Sequence, residues 1–210
     1  MAVSFPSFAY WAAPLNIPPE LGLANARGEG GLVITSRRSD PFWRGRMTTV
    51  ALDVTQGNNQ HAEMSAFLSR CVDLNLSVDF VHPRHAYPTS YTSGTWPMVG
   101  DATLVSVTDV RNIVVSDLTM GLLLKRGDRL SLSQDGLIVH RWLAADVTVS
   151  STTAQSLELT PRLPIGVLSG GATIALHNPV LRLRIVPGSW DIGEDIGPTP
   201  ISFEVTEALV

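Results

Sequence analysis

Apolar and polar positions alternate through most of the chain. Gly31-Leu32-Val33-Ile34-Thr35-Ser36-Arg37, Met47-Thr48-Thr49-Val50-Ala51-Leu52-Asp53-Val54 and Leu181-Arg182-Leu183-Arg184-Ile185-Val186 set β-branched or apolar residues at period two. Such runs predict half-buried antiparallel strands. One segment keeps a different period. Met64, Phe67, Leu68 and Cys71 fall at i, i+3, i+4 and i+7, and Asn58 or Asn59 stands upstream to cap the first free amides. The spacing predicts one helix over 60–72, followed by a strand over 77–81.

Residues 82–97, HPRHAYPTSYTSGTWP, are rich in turn formers, and their prolines remove backbone donors, so the segment reads as a connector. Short alternating strands are then predicted over 102–110, 113–118, 128–133, 136–142, 147–151, 156–160 and 172–177. Regular short strands separated by turn residues point to a small closed or partly closed barrel. Longer strands resume over 180–186 and 201–209, on either side of a Gly- and acid-rich loop. The predicted fold is mainly β. A β domain with one helix, 1–96 and 180–210, is interrupted by an inserted small barrel, 97–179. Insertion at an exposed loop costs little when the loop ends lie close together.

Composition narrows the function classes. The 210 residues, 44% hydrophobic and 16% charged, are enough for a real core, and five Trp with fourteen Pro argue against a mainly helical chain. A net charge of -4 gives the chain as a whole no long-range attraction to phosphate, which argues against a nucleic-acid-coating role. Cys71 is the sole cysteine, so neither an intramolecular disulfide nor a Cys-rich zinc motif is possible, and cytosolic assembly fits. The N-terminal MAVSFPSFAYWAAPLN lacks Lys and Arg and is broken by Pro6 and Pro14, which suits neither a secretion signal nor a membrane span.

Catalytic chemistry is not predicted. The G-x-S-x-G turn is absent, and Cys71 lies on the apolar face of the predicted helix, where a buried inert thiol is expected. Among five histidines only His82 and His85 are close in sequence, and no H-E-x-x-H helix accompanies them. Asp191, Glu194 and Asp195 in GSWDIGEDIG lack the ligand spacing of a calcium loop and read as a solvated loop. No phosphate-binding glycine motif precedes a helix; Gly166 to Gly171 read as a turn between strands. No catalytic residue, metal site or cofactor is therefore expected, and the chain is read as a non-enzyme. Trp142, the barrel's one aromatic besides Trp96 at its edge, is expected in the barrel core. The densest cationic and aromatic stretch is SRRSDPFWRGRM. Its Arg37, Arg38, Trp43, Arg44 and Arg46 form a candidate protein interface, since Arg and Trp combine large contact area with planar hydrogen bonding. The competing reading has Trp43 covering a sheet edge.

The hexapeptide KRGDRL, 125–130, contains an adhesion-type Arg-Gly-Asp. It follows Leu122-Leu123-Leu124 and precedes Leu130-Ser131-Leu132, so Gly127 is expected to turn the chain into the next barrel strand.

Several of these segments, taken in order, carry a resemblance. Trp43-Arg44-Gly45, the helix around Glu63-Met64-Ser65-Ala66-Phe67-Leu68, the strand with Phe80 and its Pro-rich exit come first. Leu124-Lys125-Arg126-Gly127-Asp128-Arg129-Leu130, Ala175-Leu176-His177-Asn178-Pro179 and Ile201-Ser202-Phe203-Glu204-Val205-Thr206-Glu207-Ala208-Leu209 follow. Together, from about Trp43 onward, they resemble the distal tail proteins of long-tailed bacteriophages. The resemblance implies a tail-tube-like β-sandwich or barrel domain with one helix, interrupted in some members by an OB-like barrel. It implies a structural virion protein at the distal end of the tail, assembled in the host cytoplasm as a ring, usually hexameric. The expected partners are further copies of the chain, the tail tube protein, and hub or fibre proteins. No membrane and no sequence-specific nucleic acid is expected, although DNA passes through such a ring. The family supplies no catalytic residue to carry over. The alternative is a module at the tail tip that binds host polysaccharide through the barrel; exposed aromatics, which sugar sites use, are few in that insertion.

Overall fold

The computed structural model describes residues 2–7, 9, 11–12, 19–20, 23–27, 33–37, 42–53, 59–98, 100–164, 166–190 and 198–208, with backbone alone at 19–20, 23–27 and 33–37. In chain order the strands begin with β1 (Ala2–Ser4), β2 (Pro19–Glu20), β3 (Leu23–Arg27), β4 (Val33–Arg37) and β5 (Phe42–Thr48). Helix α1 (Gln60–Asp73) and β6 (Ser77–Val81) follow. Then come β7 (Ala102–Val107), β8 (Asn112–Ser116), β9 (Leu123–Leu124), β10 (Arg129–Gln134), β11 (Leu137–Leu143) and β12 (Val147–Thr148). The series closes with β13 (Gln155–Thr160), β14 (Thr173–Ala175), β15 (Val180–Ile185) and β16 (Ser202–Glu207). The fold is mainly β, as expected. Contacts divide it into two compact units, one of Met1–Glu20, Trp43–Phe80 and Arg182–Ala208, the other of Leu21–Phe42, Val81–Leu181 and Leu209–Val210. The second unit takes in 21–42 and 81–96, which the sequence grouping assigned to the first domain.

The first unit is built on a six-stranded sheet in the order β1-β6-β15-β16-β5-β2. The expected alternation is visible in β15 and β16, whose Leu183, Ile185, Phe203 and Val205 are buried while Arg182, Arg184, Glu204 and Thr206 are partly exposed. Strand β5 starts upstream of the stretch expected over 47–54. Trp43 and Met47 point inward and Arg44 and Arg46 outward, and among the described residues 49–53 the pairing is by isolated bridges, Thr49 to Trp11 and Leu52 to Thr199. Helix α1 buries His61, Met64, Leu68 and Cys71 at helical spacing. Asn59 caps it, its side-chain oxygen accepting the Ala62 amide at 3.0 Å, while Asn58 lies outside the described residues. The helix ends as the Asn75 backbone turns left-handed (φ 49°), with Leu76 N–H donating to Cys71 O and Asn75 N–H to Val72 O. That paired return satisfies carbonyls the last turn would otherwise leave open.

An aromatic group ties the N-terminal segment to this core. Phe5 lies 4.7 Å from Trp11, 5.7 Å from Phe67 and 6.1 Å from Phe203, ring centre to ring centre. Ring pairs at such separations add to the apolar area they bury. Strand β1 runs parallel to β6, with Val3 opposite Val78.

In the second unit, β10-β11-β13-β8-β7-β14 close into a six-stranded barrel as β14 pairs back onto β10. Period two sends Leu104, Ile113, Leu130, Leu132, Val139 and Leu157 to its interior, where each is fully enclosed. Strand β7 carries an irregularity between Leu104 and Ser106, and Gly170 approaches it so closely that a Cβ there would lie 2.7 Å from the Val105 carbonyl oxygen. The strands β3 and β4 form a separate two-stranded sheet, Asn25 opposite Thr35.

Candidate functional site

The candidate interface cluster is split by the strand that carries it. Trp43 has no exposed surface, and its amide donates to Glu207 Oε2 at 3.2 Å. Its ring is therefore core, and it is not available to a partner in this fold. Arg44 and Arg46, one position out of phase, lie on the opposite face and are exposed. Arg37 ends β4, and Arg38 lies outside the described residues.

On the face that Arg44 and Arg46 share, polar side chains stand on four strands beside the apolar Val81 and Val186. Arg184 of β15, Thr206 of β16 and Arg44 of β5 stand in one row, and Glu204 faces Arg46 in the next. Arg44 Nη2 donates to Glu204 Oε2 at 3.1 Å, both side chains nearly half exposed. Beyond them, Ser202 and Thr48 hydroxyls meet at 2.8 Å. At the other side, Asp79 of β6 accepts from Arg182 Nε at 2.7 Å and from Nη2 at 2.9 Å. This two-armed hydrogen bonding holds the Arg182 guanidinium above its ordinary pKa. Sequence alternation marks Arg182 and Arg184 as outward-facing, but the assembly of the arginines into one surface requires β16 to pair with both β15 and β5.

The Arg-Gly-Asp turn is built differently from an adhesion loop. Gly127 adopts φ 90°, and Asp128 N–H closes the turn on Lys125 O at 3.0 Å. Asp128 is buried, 3% exposed. Its Oδ1 accepts the Thr89 amide at 2.7 Å and the Thr89 hydroxyl at 2.6 Å, while Oδ2 accepts the Lys125 amide at 2.7 Å. The carboxylate an adhesion receptor would read is thus consumed inside the fold. Asp146 supports the other side of the turn, accepting from Arg126 N–H at 2.8 Å and Lys125 Nζ at 3.1 Å. Those contacts, the Arg126 amide first, hold the Asp146 carboxyl below its ordinary pKa.

Trp142 is a correction to the expected barrel core. Strand β11 turns Val139, Arg141 and Leu143 toward the same side as buried Leu130 and Leu132, which leaves Trp142 on the outer face and half-buried. Arg129, directly opposite in β10, lies over its ring at 5.7 Å. With burial, the Arg129 pKa falls to about 10. Arg141 is fully enclosed instead, with Nε donating to Arg162 O at 3.1 Å and Nη1 to His140 O at 2.6 Å. Nothing in the sequence pattern marks a guanidinium for an inward position.

His140 and its cross-strand neighbour Ser131 together hold the backbone of Val180. Ser131 Oγ accepts Val180 N–H at 3.1 Å, and His140 Nδ1 lies 3.3 Å from Val180 O. Burial above all, then the nearby Arg129 charge, lowers the His140 pKa to about 3. A neutral ring therefore donates from Nδ1.

Other candidate chemistry stays dispersed. His82 and His85 sit with ring centres 4.5 Å apart, and no group of three His, Cys, Asp or Glu suited to a metal occurs among the described residues. Cys71 is buried and its thiol pKa is raised by that burial. Asp191, Glu194 and Asp195 lie outside the described residues. The connector gathers aromatics that sequence spacing did not link: Tyr87 stacks on His177 at 4.4 Å, and Trp96 lies 5.5 Å from Tyr91. Tyr91 and Trp96 also pack on the barrel core. No family model matches the chain, and no curated protein is significantly similar to it.

Proposed function

We propose that this chain is a structural component of the distal end of a bacteriophage tail. In this reading it assembles with further copies of itself into a ring, usually of six in the family it resembles, that joins the tail tube to hub or fibre proteins. The observation that carries the reading is the order of construction. One compact unit, a six-stranded sheet with a helix, draws on both ends of the chain, and a closed barrel is made from the stretch between them. That is the arrangement the resemblance implies, with the sheet unit read as tail-tube-like and the barrel as OB-like.

The test is cross-linking and cryo-electron microscopy of virions that carry the protein. The expected result is a ring at the tail tip cross-linked to tube and hub proteins; location in the capsid, or absence from particles, overturns the proposal. A second reading, recognition of host polysaccharide, is favoured by the grouping of Tyr87, Tyr91, Trp96 and His177 in the barrel unit. A glycan array probed with the full chain decides it, uniform absence of binding counting against it.

A further inference from the structure

We infer that the open end of the barrel beside β7 docks an extended partner peptide, taking one large apolar side chain with a Lys or Arg close by in the peptide. Val107 stands opposite Ile113 in the antiparallel pairing of β7 with β8, so its side chain has the phase of the barrel interior. Ile113 is fully enclosed, but Val107, the last residue of β7, is 38% exposed. The interior face of the barrel therefore surfaces at this end. A depression of about 170 Å³ lies there, lined by Val107, Val110, Leu163, Pro164 and Leu168, with Asp109 beside them. Leu163 belongs to the barrel core and Leu168 packs against it, so the floor of the depression is the core itself. Leu163 N–H donates to Val110 O at 2.6 Å, which ties its two walls together.

Size, backbone and charge choose the occupant. An apolar cavity of roughly 150 Å³ accepts a benzene-sized group, the bulk of one Phe or Leu side chain. The strand beside it favours a peptide over a free small molecule. Thr108 N–H donates to Asn112 O at 2.9 Å, and antiparallel pairs alternate, so the N–H and C=O of Val107 point away from β8. On that side β14 and the residues before it bond to β7 only as far as Leu104, and no further strand follows among the described residues. An extended peptide pairs with such an edge, and its residue opposite Val107 shares that face and enters the depression. Asp109 sets the charge, as the one charged side chain among the described residues of the lining. Its carboxylate accepts Asn112 Nδ2 at 2.9 Å and the amides of Arg111 at 2.7 Å and Asn112 at 2.9 Å. Those bonds, the Asn112 side chain first, hold the carboxyl below its ordinary pKa and keep a negative charge at the rim.

The inference stands whether or not the chain forms a tail-tip ring. The test is selection of a displayed library of random short peptides on the immobilised full chain, followed by fluorescence anisotropy of the selected peptides. They are expected to share one large apolar residue with Lys or Arg near it. Replacing that apolar residue by Ala is expected to weaken binding roughly 10- to 100-fold. Val107→Phe fills the depression from its own wall and abolishes binding. Asp109→Asn keeps an acceptor oxygen for the turn and weakens binding by about 2- to 5-fold at low salt, a loss that fades at high salt. Circular dichroism checks that each variant is folded. Amide NMR of the parent chain, which needs no variant, is expected to show shift changes centred on Val107, Val110 and Leu168. Absence of selection, selected peptides without a common apolar residue, undiminished binding to a folded Val107→Phe protein, or shift changes confined to another surface each overturn the inference.

Discussion

Asp128 and Thr89, 39 positions apart, are joined by two hydrogen bonds through one carboxylate oxygen, from the Thr89 amide at 2.7 Å and its hydroxyl at 2.6 Å. The second oxygen takes the Lys125 amide. A single buried carboxylate thus holds both the connector and the turn before β10. Asp128→Ala leaves three donors without their acceptor and is expected to cost roughly 2–3 kcal/mol. Thr89→Ala removes only the hydroxyl contact and should cost about 1 kcal/mol. Urea unfolding of both variants checks the order; equal losses would show that the amide contact contributes little.

Gly127 tests the turn from the backbone side. At φ 90° it has no heavy atom within 4 Å of where a Cβ would be built, so a substitution is disfavoured by conformation rather than by collision. Gly127→Val is expected to destabilise by about 2 kcal/mol and Gly127→Asn by less, since Asn tolerates left-handed backbone. Thermal melts provide the measurement, and an unchanged melting temperature for the valine variant contradicts the account.

Neighbours in the candidate cluster should behave oppositely. Trp43→Ala empties a site with no exposed surface and is expected to cost about 3–5 kcal/mol. Arg44→Ala and Arg46→Ala, exposed on the other face, should each stay within about 0.5 kcal/mol. Chemical denaturation of the three variants reads the contrast directly.

His140 makes stability depend on pH. Its folded-state pKa of about 3 lies below the ordinary value near 6.5, so the folded chain holds fewer protons than the unfolded chain between those limits. Stability from this group is therefore fully present above pH 6.5 and lost as pH falls toward 3. The loss is on the order of 1.4 kcal/mol per pH unit within the window. His85 shifts in the same direction, first through burial and then through Arg129. Groups acting on His140 are Arg129, Arg141 and His85, with the Val180 carbonyl opposing them. His140→Gln should flatten the acid limb without removing it, as followed by unfolding at a series of pH values. An unaltered acid limb would rule out His140 as its main source.

Local readings succeeded where their cause is local. Helix α1 was legible because its apolar stripe and its Asn59 cap involve residues only a few positions apart. The strands of the barrel were legible because period two is a property of each short run. The turn at Gly127 was legible for the same reason.

The sequence by itself determined a mainly β chain with one helix and a glycine-dependent turn in KRGDRL. Alternation fixes which residues share a face of one strand, but not what that face meets. Tertiary structure decided the rest. Pairing of β16 with both β15 and β5 set Arg184 in the same row as Arg44, residues far apart in the chain. The phase of β11 in the closed barrel enclosed Arg141 and turned Trp142 outward. Packing brought Phe5 and Trp11 into the first unit's core and Thr89 onto Asp128. Each of these depends on which distant segment arrives beside a residue, and long-range pairing is set by the whole chain's burial rather than by the pattern of any one stretch.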